Sequence, residues 1–254
     1  MTPLFSIITV TYNASASLGA TLASVKEQSC KLYEYIVMDG CSTDGTVEMA
    51  RAAGIATSRI YSSPDKGLYD AMNKALEVAE GEYFIFLNAG DTFHSPDTLQ
   101  HIADAVLLQG NDFPGIVYGQ TLLVNKERKV IGERHLQAPE VLTLDSFKHG
   151  MVVCHQAFIA YRKVVGNYDL QYRYSADYDW CIRCLQRSRR NVYMPEVLID
   201  YLNEGLTTKN RYRSLRERFH IMCQYYGTWP TVWRHVGFLP RFIKQRLKEL
   251  KNNN

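Results

Sequence analysis

Residues 83–91 read Tyr-Phe-Ile-Phe-Leu-Asn-Ala-Gly-Asp, and this stretch decides the fold. An apolar run of five residues is typical of a buried strand, and the polar residues Asn88 and Asp91 follow it in a glycine-bearing turn. The same pattern, a short apolar run and then a polar turn, occurs three times before it. The predicted strands are Phe5–Thr11, Tyr35–Met38, Ile60–Ser62 and Tyr83–Leu87.

Segments of helical period separate these strands. Leu18, Leu22 and Val25 mark one face of a first helix, Val47 and Ala50 mark a second, and apolar residues between positions 68 and 79 mark a third. Alternation of strand and helix predicts an α/β fold with a mostly parallel sheet flanked by helices. In such a sheet, ligands bind at the carboxyl ends of the strands.

The character of the chain changes after a predicted helix that begins with Ser95 as its cap and ends before Gly110. Shorter strands are expected beyond it, followed by one more helix from Ala176 to Ser188. These strands are predicted at Ile116–Tyr118, Thr121–Val124, Lys129–Ile131 and Gln156–Tyr161.

Composition places the chain among globular proteins, with 254 residues of which 46% are hydrophobic. No run of eighteen apolar residues and no basic leader is present, so we expect neither a membrane span nor export. The six cysteines are scattered, and the Cys181/Cys184 pair has no second pair to complete a zinc site. This usage favours reduced thiols and the cytosol.

The C-terminal segment is basic. Residues 209–251 hold eleven Lys and Arg against two Glu, whereas the preceding residues hold eighteen basic and twenty-four acidic side chains. Amphipathic helices are predicted at Tyr212–Tyr226 and Pro240–Leu250, with aromatic residues such as Trp229 and Trp233 among the charges. This mixture favours an anionic membrane surface over nucleic acid as the partner, and a helical hairpin that packs on the body is the alternative.

Polar residues follow all four predicted parallel strands and should meet at one edge of the sheet. The turn after the first strand has neither the Gly-x-Gly-x-x-Gly nor the Walker pattern for binding phosphate. A nucleotide bound here would need another source of positive charge, and a divalent cation on carboxylates is the usual one. The four turns are Thr11–Asn13, Asp39–Gly45, Pro64–Gly67 and Asn88–Asp91.

In order and spacing these motifs resemble the family 2 glycosyltransferases of the GT-A fold, in particular the bacterial branch that builds capsule, colanic acid and O-antigen. The resemblance is dense over residues 5–91. Two further motifs, Cys154–Phe158 and Ser175–Trp180, extend it to about residue 205. It implies a GT-A domain over 1–205, with a nucleotide-sugar half at 1–110 and an acceptor half at 111–205. The basic helical tail occupies 206–254.

The resemblance also implies roles for individual residues. Asp177 would be the base of an inverting transfer, and Asp91 would hold Mn²⁺ or Mg²⁺ although Asn88 and Gly90 stand where carboxylates are common. His155, Gln156 and Asp179 would lie on the acceptor side, with Asp179 as the fallback base. The nucleotide-sugar, most readily a UDP-sugar, would be bound by Thr11, Tyr12, Asn13, Asp39, Ser42, Asp65, Lys66, Gly67, Asp70, Lys74, Asn88 and Ala89.

The implied activity is hexosyl transfer to a lipid-linked glycan at the cytoplasmic face of the inner membrane. Two alternatives stay open at this point. A sugar-phosphate nucleotidyltransferase shares the nucleotide-binding half, but its first loop normally carries Gly and basic residues that 11–16 lack. A catalytically silent module that binds nucleotide-sugar or nucleic acid would explain Asn88, Gly90 and Ala176.

Overall fold

The computed structural model describes residues 2–110, 112–203 and 210–235. Its first half forms the parallel part of one sheet, in which β1 pairs with β2 on one side and β4 on the other, and β2 pairs with β3. These strands and helices are β1 (Phe5–Thr11), α1 (Ser15–Lys26), β2 (Tyr33–Asp39), α2 (Thr46–Ala52), β3 (Ser58–Ser62), α3 (Leu68–Val78) and β4 (Tyr83–Phe86).

The second half adds strands that run in both directions, so the sheet is mixed. The spatial order is β3-β2-β1-β4-β8-β6-β9-β5, with β7 paired to β6. Because β4 and β8 are antiparallel, the direction of the sheet changes beside β4. These elements are β5 (Thr92–Phe93), α4 (Thr98–Leu107), β6 (Ile116–Val124), β7 (Val130–Glu133), β8 (Phe158–Tyr161), α5 (Ala176–Arg187), β9 (Asn191–Leu202) and α6 (Arg211–Tyr226).

Apolar side chains pack on both faces of the sheet, as expected for strands that are buried on both sides. One cluster joins Ile8, Phe86 and Trp180 with α3 and α5. The other joins Ile7 and Ile85 with the buried faces of α1 and α4. These two cores fix the strand ends, and therefore the loops that carry the site.

Helix α6 packs against the body. Ile221 is fully buried and belongs to the same core cluster as Trp180. Polar contacts continue the interface, because Ser175 Oγ and Ser214 Oγ lie 2.9 Å apart and Tyr225 donates to Asp179 at 2.7 Å. The first predicted tail helix thus packs on the body, as the alternative to a membrane-bound tail expected. The second predicted tail helix, 240–250, lies outside the described residues.

Several sequence predictions need correction. Helix α4 begins at Thr98, not at Pro96, and Ser95 instead bonds with Thr98 in the preceding turn. The strand predicted at 156–161 begins at Phe158, after one turn of 3₁₀ helix. Strand β9 was not predicted. Its pairing with β6 shifts register between the Tyr118–Tyr193 pair and the Gln120–Val197 pair, and Pro195 lies in this interval of β9.

Candidate active site

The loops after β1 and β2 are joined by hydrogen bonds. Asn13 donates its backbone N–H to Ser42 Oγ at 2.8 Å, and its side-chain oxygen accepts the N–H of Thr43 at 2.9 Å. Both Asn13 and Cys41 have a positive φ, 47° and 64°, which costs a non-glycine residue free energy unless neighbouring contacts hold it. The two loops therefore form one ordered rim at the carboxyl edge of the sheet.

Asp39 is buried beneath this rim. Its carboxylate accepts hydrogen bonds from Thr11 Oγ1, Ser62 Oγ and both the N–H and hydroxyl of Ser42, at 2.5–2.9 Å. Burial opposes ionisation, but these hydrogen bonds outweigh it and lower the pKa of Asp39. In this state Asp39 holds the ends of β1, β2 and β3 together, and Thr11 is one of its donors.

Asp65 and Tyr12 lie over Gly40 at the same rim. A Cβ at position 40 would collide with Asp65 Oδ2 and touch Tyr12 Cδ2 at 3.4 Å, so a side chain there would require Asp65 to move. The Tyr12 ring is 69% exposed. This group offers a flat aromatic face beside a carboxylate.

The turn before α3 is held by its own residues. Asp70 accepts the N–H of Lys66 at 3.0 Å and pairs with Lys74 at 3.3 Å, while Lys74 also donates to Pro64 O. The backbone N–H of Lys66 thus lowers the pKa of Asp70 more than the ammonium of Lys74 does. Asp65 accepts the N–H of Gly67 at 2.8 Å. None of these six residues lines the central cavity described next.

A central cavity of about 1280 Å³ opens at the carboxyl ends of the parallel strands. It is larger than most small-molecule sites, and it runs from Tyr12, Asn13 and the start of α1 to Asp177 at the start of α5. Asn88, Ala89, Asp91, His155 and Gln156 line it between these ends. The structure therefore brings together predicted residues from both halves of the chain.

Asp91 lies at the floor of the cavity and is almost fully buried. Its two carboxylate oxygens accept one hydrogen bond each, from Gln156 Nε2 at 2.7 Å and from the N–H of Leu202 at 2.9 Å. Burial raises the pKa of Asp91 to about 7. Gly90 allows this turn, since it has a φ of 103° and a Cβ there would meet Leu202 at 2.7 Å.

Asn88 provides a second oxygen beside Asp91. Its Oδ1 atom is buried and has no hydrogen-bond partner among the described residues. An unpartnered buried oxygen next to a carboxylate is suited to a hard cation, which prefers oxygen ligands. Within the described ranges, no three His, Cys, Asp or Glu side chains gather at one point. Asn88 and Asp91 therefore fit a divalent ion whose other ligands come from a bound diphosphate and water.

Asp177 faces the cavity from the first turn of α5. Its Oδ1 accepts hydrogen bonds from Tyr69 Oη at 3.1 Å and from the N–H of Tyr178 at 2.9 Å. Burial, and then the charge of Asp177, raises the pKa of Tyr69, so this hydroxyl keeps its proton and acts as the donor. No described residue donates to Oδ2, which leaves this oxygen open to accept a proton.

His155 and Gln156 support the site. His155 stacks on Phe86, its Nε2 lies 2.7 Å from Tyr168 Oη, and burial lowers its pKa to about 4, so its ring is neutral. Gln156 holds the Asp91 carboxylate by a hydrogen bond, so its contact is with the predicted metal-binding segment and not with the acceptor side. Asp179 does not line the cavity, because Arg183 and the Tyr225 hydroxyl hold it at 2.7 Å each in the contact between α5 and α6.

Basic side chains that the sequence analysis did not select also line the cavity. They outnumber its two carboxylates, Asp91 and Asp177. Arg128 has a φ of 61° and donates to Gly90 O at 2.6 Å and to Thr92 Oγ1, so it fastens the β6–β7 turn onto the Asp91 segment. The basic residues are Lys126, Arg128, Arg134 and Arg218. Their positive charge suits ligands that carry phosphate groups.

Comparison with known proteins identifies the family. The family model described as "Glycosyl transferase family 2" matches residues 6–166. The chain is also 32% identical over 221 residues to a PGL/p-HBAD biosynthesis glycosyltransferase of Mycobacterium tuberculosis, covering 84% of this chain and 79% of the relative. This chain is a family 2 glycosyltransferase.

A second relative of this glycosyltransferase is TuaG of Bacillus subtilis, provisionally assigned to teichuronic acid biosynthesis. The two are 28% identical over 260 residues, covering 96% of this chain and 98% of TuaG. Among solved structures, S. aureus TarS 1-349 shares its fold with a TM-score of 0.69 at 18% identity, over 92% of this chain and 72% of that one. The mixed sheet with flanking helices agrees with the GT-A fold predicted from the sequence.

Proposed function

We propose that this glycosyltransferase moves a hexosyl group from a nucleotide-sugar, most readily a UDP-sugar, to a hydroxyl of a lipid-linked glycan with inversion at the anomeric carbon. The observation that carries the proposal is the open Oδ2 of Asp177, which shares one cavity with Asn88 and Asp91. A base and a place for the leaving diphosphate would thereby share one cavity.

The donor would enter along the carboxyl edge of the parallel strands. The nucleobase of the donor would stack on the exposed ring of Tyr12 near Asp65. The rim ordered by Asp39, Asn13 and Ser42 would keep that surface in place. The diphosphate would lie toward Asn88, Asp91 and the start of α1. A divalent ion held by Asn88 and Asp91 would neutralise the charge of the departing nucleoside diphosphate.

Asp177 would act on the acceptor. The acceptor hydroxyl attacks the anomeric carbon from the face opposite the diphosphate, and Oδ2 takes its proton as the new bond forms. Tyr69 and the N–H of Tyr178 hold Oδ1, so the carboxylate keeps one orientation.

The proposed place of action is the cytoplasmic face of a membrane that displays lipid-linked glycans, in the synthesis of a cell-surface polysaccharide such as capsule or O-antigen. The names of the two relatives above assign them to PGL/p-HBAD biosynthesis and, provisionally, to teichuronic acid biosynthesis. Among the described residues, no helix is both long and apolar enough to cross a bilayer. Trp229 and Trp233 are about three-quarters exposed, which suits insertion at a membrane surface.

The test is release of nucleoside diphosphate from a panel of UDP-, GDP- and dTDP-sugars with Mn²⁺ or Mg²⁺. We expect slow release from one donor in water and faster release when a membrane extract supplies acceptors. Omission of the metal should reduce both rates. No release from any donor, with or without extract, would contradict the enzymatic proposal and favour a silent binding module.

A further inference from the structure

Arg218 on α6 is a cationic residue of the cavity that the proposed reaction has not used. Its side chain lines the cavity that also contains Asp177. Its Nε atom is buried and has no hydrogen-bond partner among the described residues, and it forms no ion pair with the described acidic residues. A buried donor without a partner is costly, so the Nε–H of this partly exposed side chain is suited to a ligand that enters the cavity.

The neighbours of Arg218 place it at the acceptor end of the cavity. Tyr69 and Asp177 line the same cavity as Arg218, and the positive charge of Arg218 opposes the rise that burial causes in the pKa of Tyr69. Tyr69 is the residue that donates to Asp177. Arg218 therefore shares the cavity with the proposed base and its hydrogen-bond donor, whereas the Asn88–Asp91 segment has Arg128 as its own cation.

The contacts of α6 hold Arg218 in this position. Glu217, the preceding residue, accepts the backbone N–H groups of Arg173 and Tyr174 at 3.0 and 2.8 Å. Ile221, on the next turn, is fully buried against the core. Anchors on both sides restrict the helix backbone, so the point from which the Arg218 side chain extends is fixed.

We propose that Arg218 binds a phosphate group of the acceptor, next to the hydroxyl that Asp177 deprotonates. A guanidinium recognises phosphate through paired N–H donors, and a lipid-linked glycan carries phosphate between its lipid and its sugar. The inference rests on the proposed function. The diphosphate of the donor offers the same chemistry, and the experiment below separates the two sources.

The test uses the full chain in two calorimetric titrations. The first titrates UDP in the presence of Mg²⁺. The second titrates farnesyl phosphate, with farnesol as the neutral comparison, while UDP is kept saturating. The variants are Arg218→Gln and Arg218→Lys, and the matched control is Arg216→Gln, which removes an exposed charge from the same helix.

We expect Arg218→Gln to weaken farnesyl phosphate binding about tenfold or more and to leave UDP and farnesol unaffected, with a smaller loss for Arg218→Lys. Weakened UDP binding with unchanged farnesyl phosphate binding would overturn the inference and assign Arg218 to the donor. Unchanged binding of both phosphate compounds, in variants whose thermal unfolding matches wild type, would overturn the inference. Failure of wild type to bind any nucleotide would contradict the proposed function itself.

Discussion

Asp177 has one occupied carboxylate oxygen and one open oxygen, and this asymmetry predicts the effect of Asp177→Asn. The amide can still accept the Tyr69 hydrogen bond, but it cannot take a proton from an acceptor. We expect transfer to fall by about two to four orders of magnitude while UDP binding is retained. Transfer rates and UDP titrations check this, and an undiminished rate would move the base to another residue.

Asp91 predicts a pH dependence of stability. A carboxyl whose pKa rises on folding, here from 3.8 to about 7, binds its proton more tightly in the folded state. The free energy of unfolding without ligand should therefore fall as the pH rises from about 4 to about 7, by an amount on the order of 4 kcal/mol for this group.

Asp91→Asn should remove most of this fall, because the amide has no charge to bury at high pH. Urea unfolding of wild type and variant at pH 5 and pH 8, without metal, measures the difference. Mn²⁺ with UDP should stabilise wild type most at pH 8, and the variant much less. Equal slopes with pH in the two proteins would show that Asp91 is not the group responsible.

At the scale of elements, the position of α6 in the core predicts the effect of two alanine substitutions. Ile221→Ala removes a fully buried side chain and should cost about 2–5 kcal/mol of unfolding free energy. Leu215→Ala, at a position 43% exposed on the same helix, should change it by less than about 0.5 kcal/mol. Chemical denaturation compares them, and similar effects would mean that α6 does not contribute to the core.

The elements also show what the sequence could predict. Strands β1, β2 and β4 are short apolar runs that end in polar turns, so periodicity and turn residues identify them and the edge where the site forms. Strand β9 was not predicted because Pro195 lacks the N–H that a central strand needs. Its apolar and polar residues also do not alternate regularly. Its pairing depends on a distant partner, β6, whose register shifts to accommodate the proline.

At the scale of the whole molecule, the charge of the cavity could not be predicted. The body is acidic by composition, yet the cavity has more basic than acidic side chains, because Lys126, Arg128 and Arg134 come from the β6–β7 region and Arg218 from α6. Short motifs identified Asn88, Asp91 and Asp177 one by one. Only the folded chain brings these basic residues to the same space.

The exposed tryptophans predict a property of the whole protein, its affinity for membranes. Replacing Trp229 and Trp233 together with alanine should reduce binding to phosphatidylglycerol vesicles severalfold, because the interfacial aromatic surface is lost. Donor hydrolysis in water should be unchanged. Vesicle sedimentation measures the binding, with Tyr212→Ala, another exposed aromatic residue, as the control. Equal sedimentation of all three proteins would contradict a membrane role for this surface.

The packing of α6 on α5 also sets the time at which a growing chain becomes active. The parallel half of the sheet is complete by residue 86, early in translation. The helix that carries Asp177 gains its covering partner only when residues 211–226 have left the ribosome. We therefore expect ribosome-bound chains to bind nucleotide before they can transfer sugar, because catalysis waits for residues 211–226.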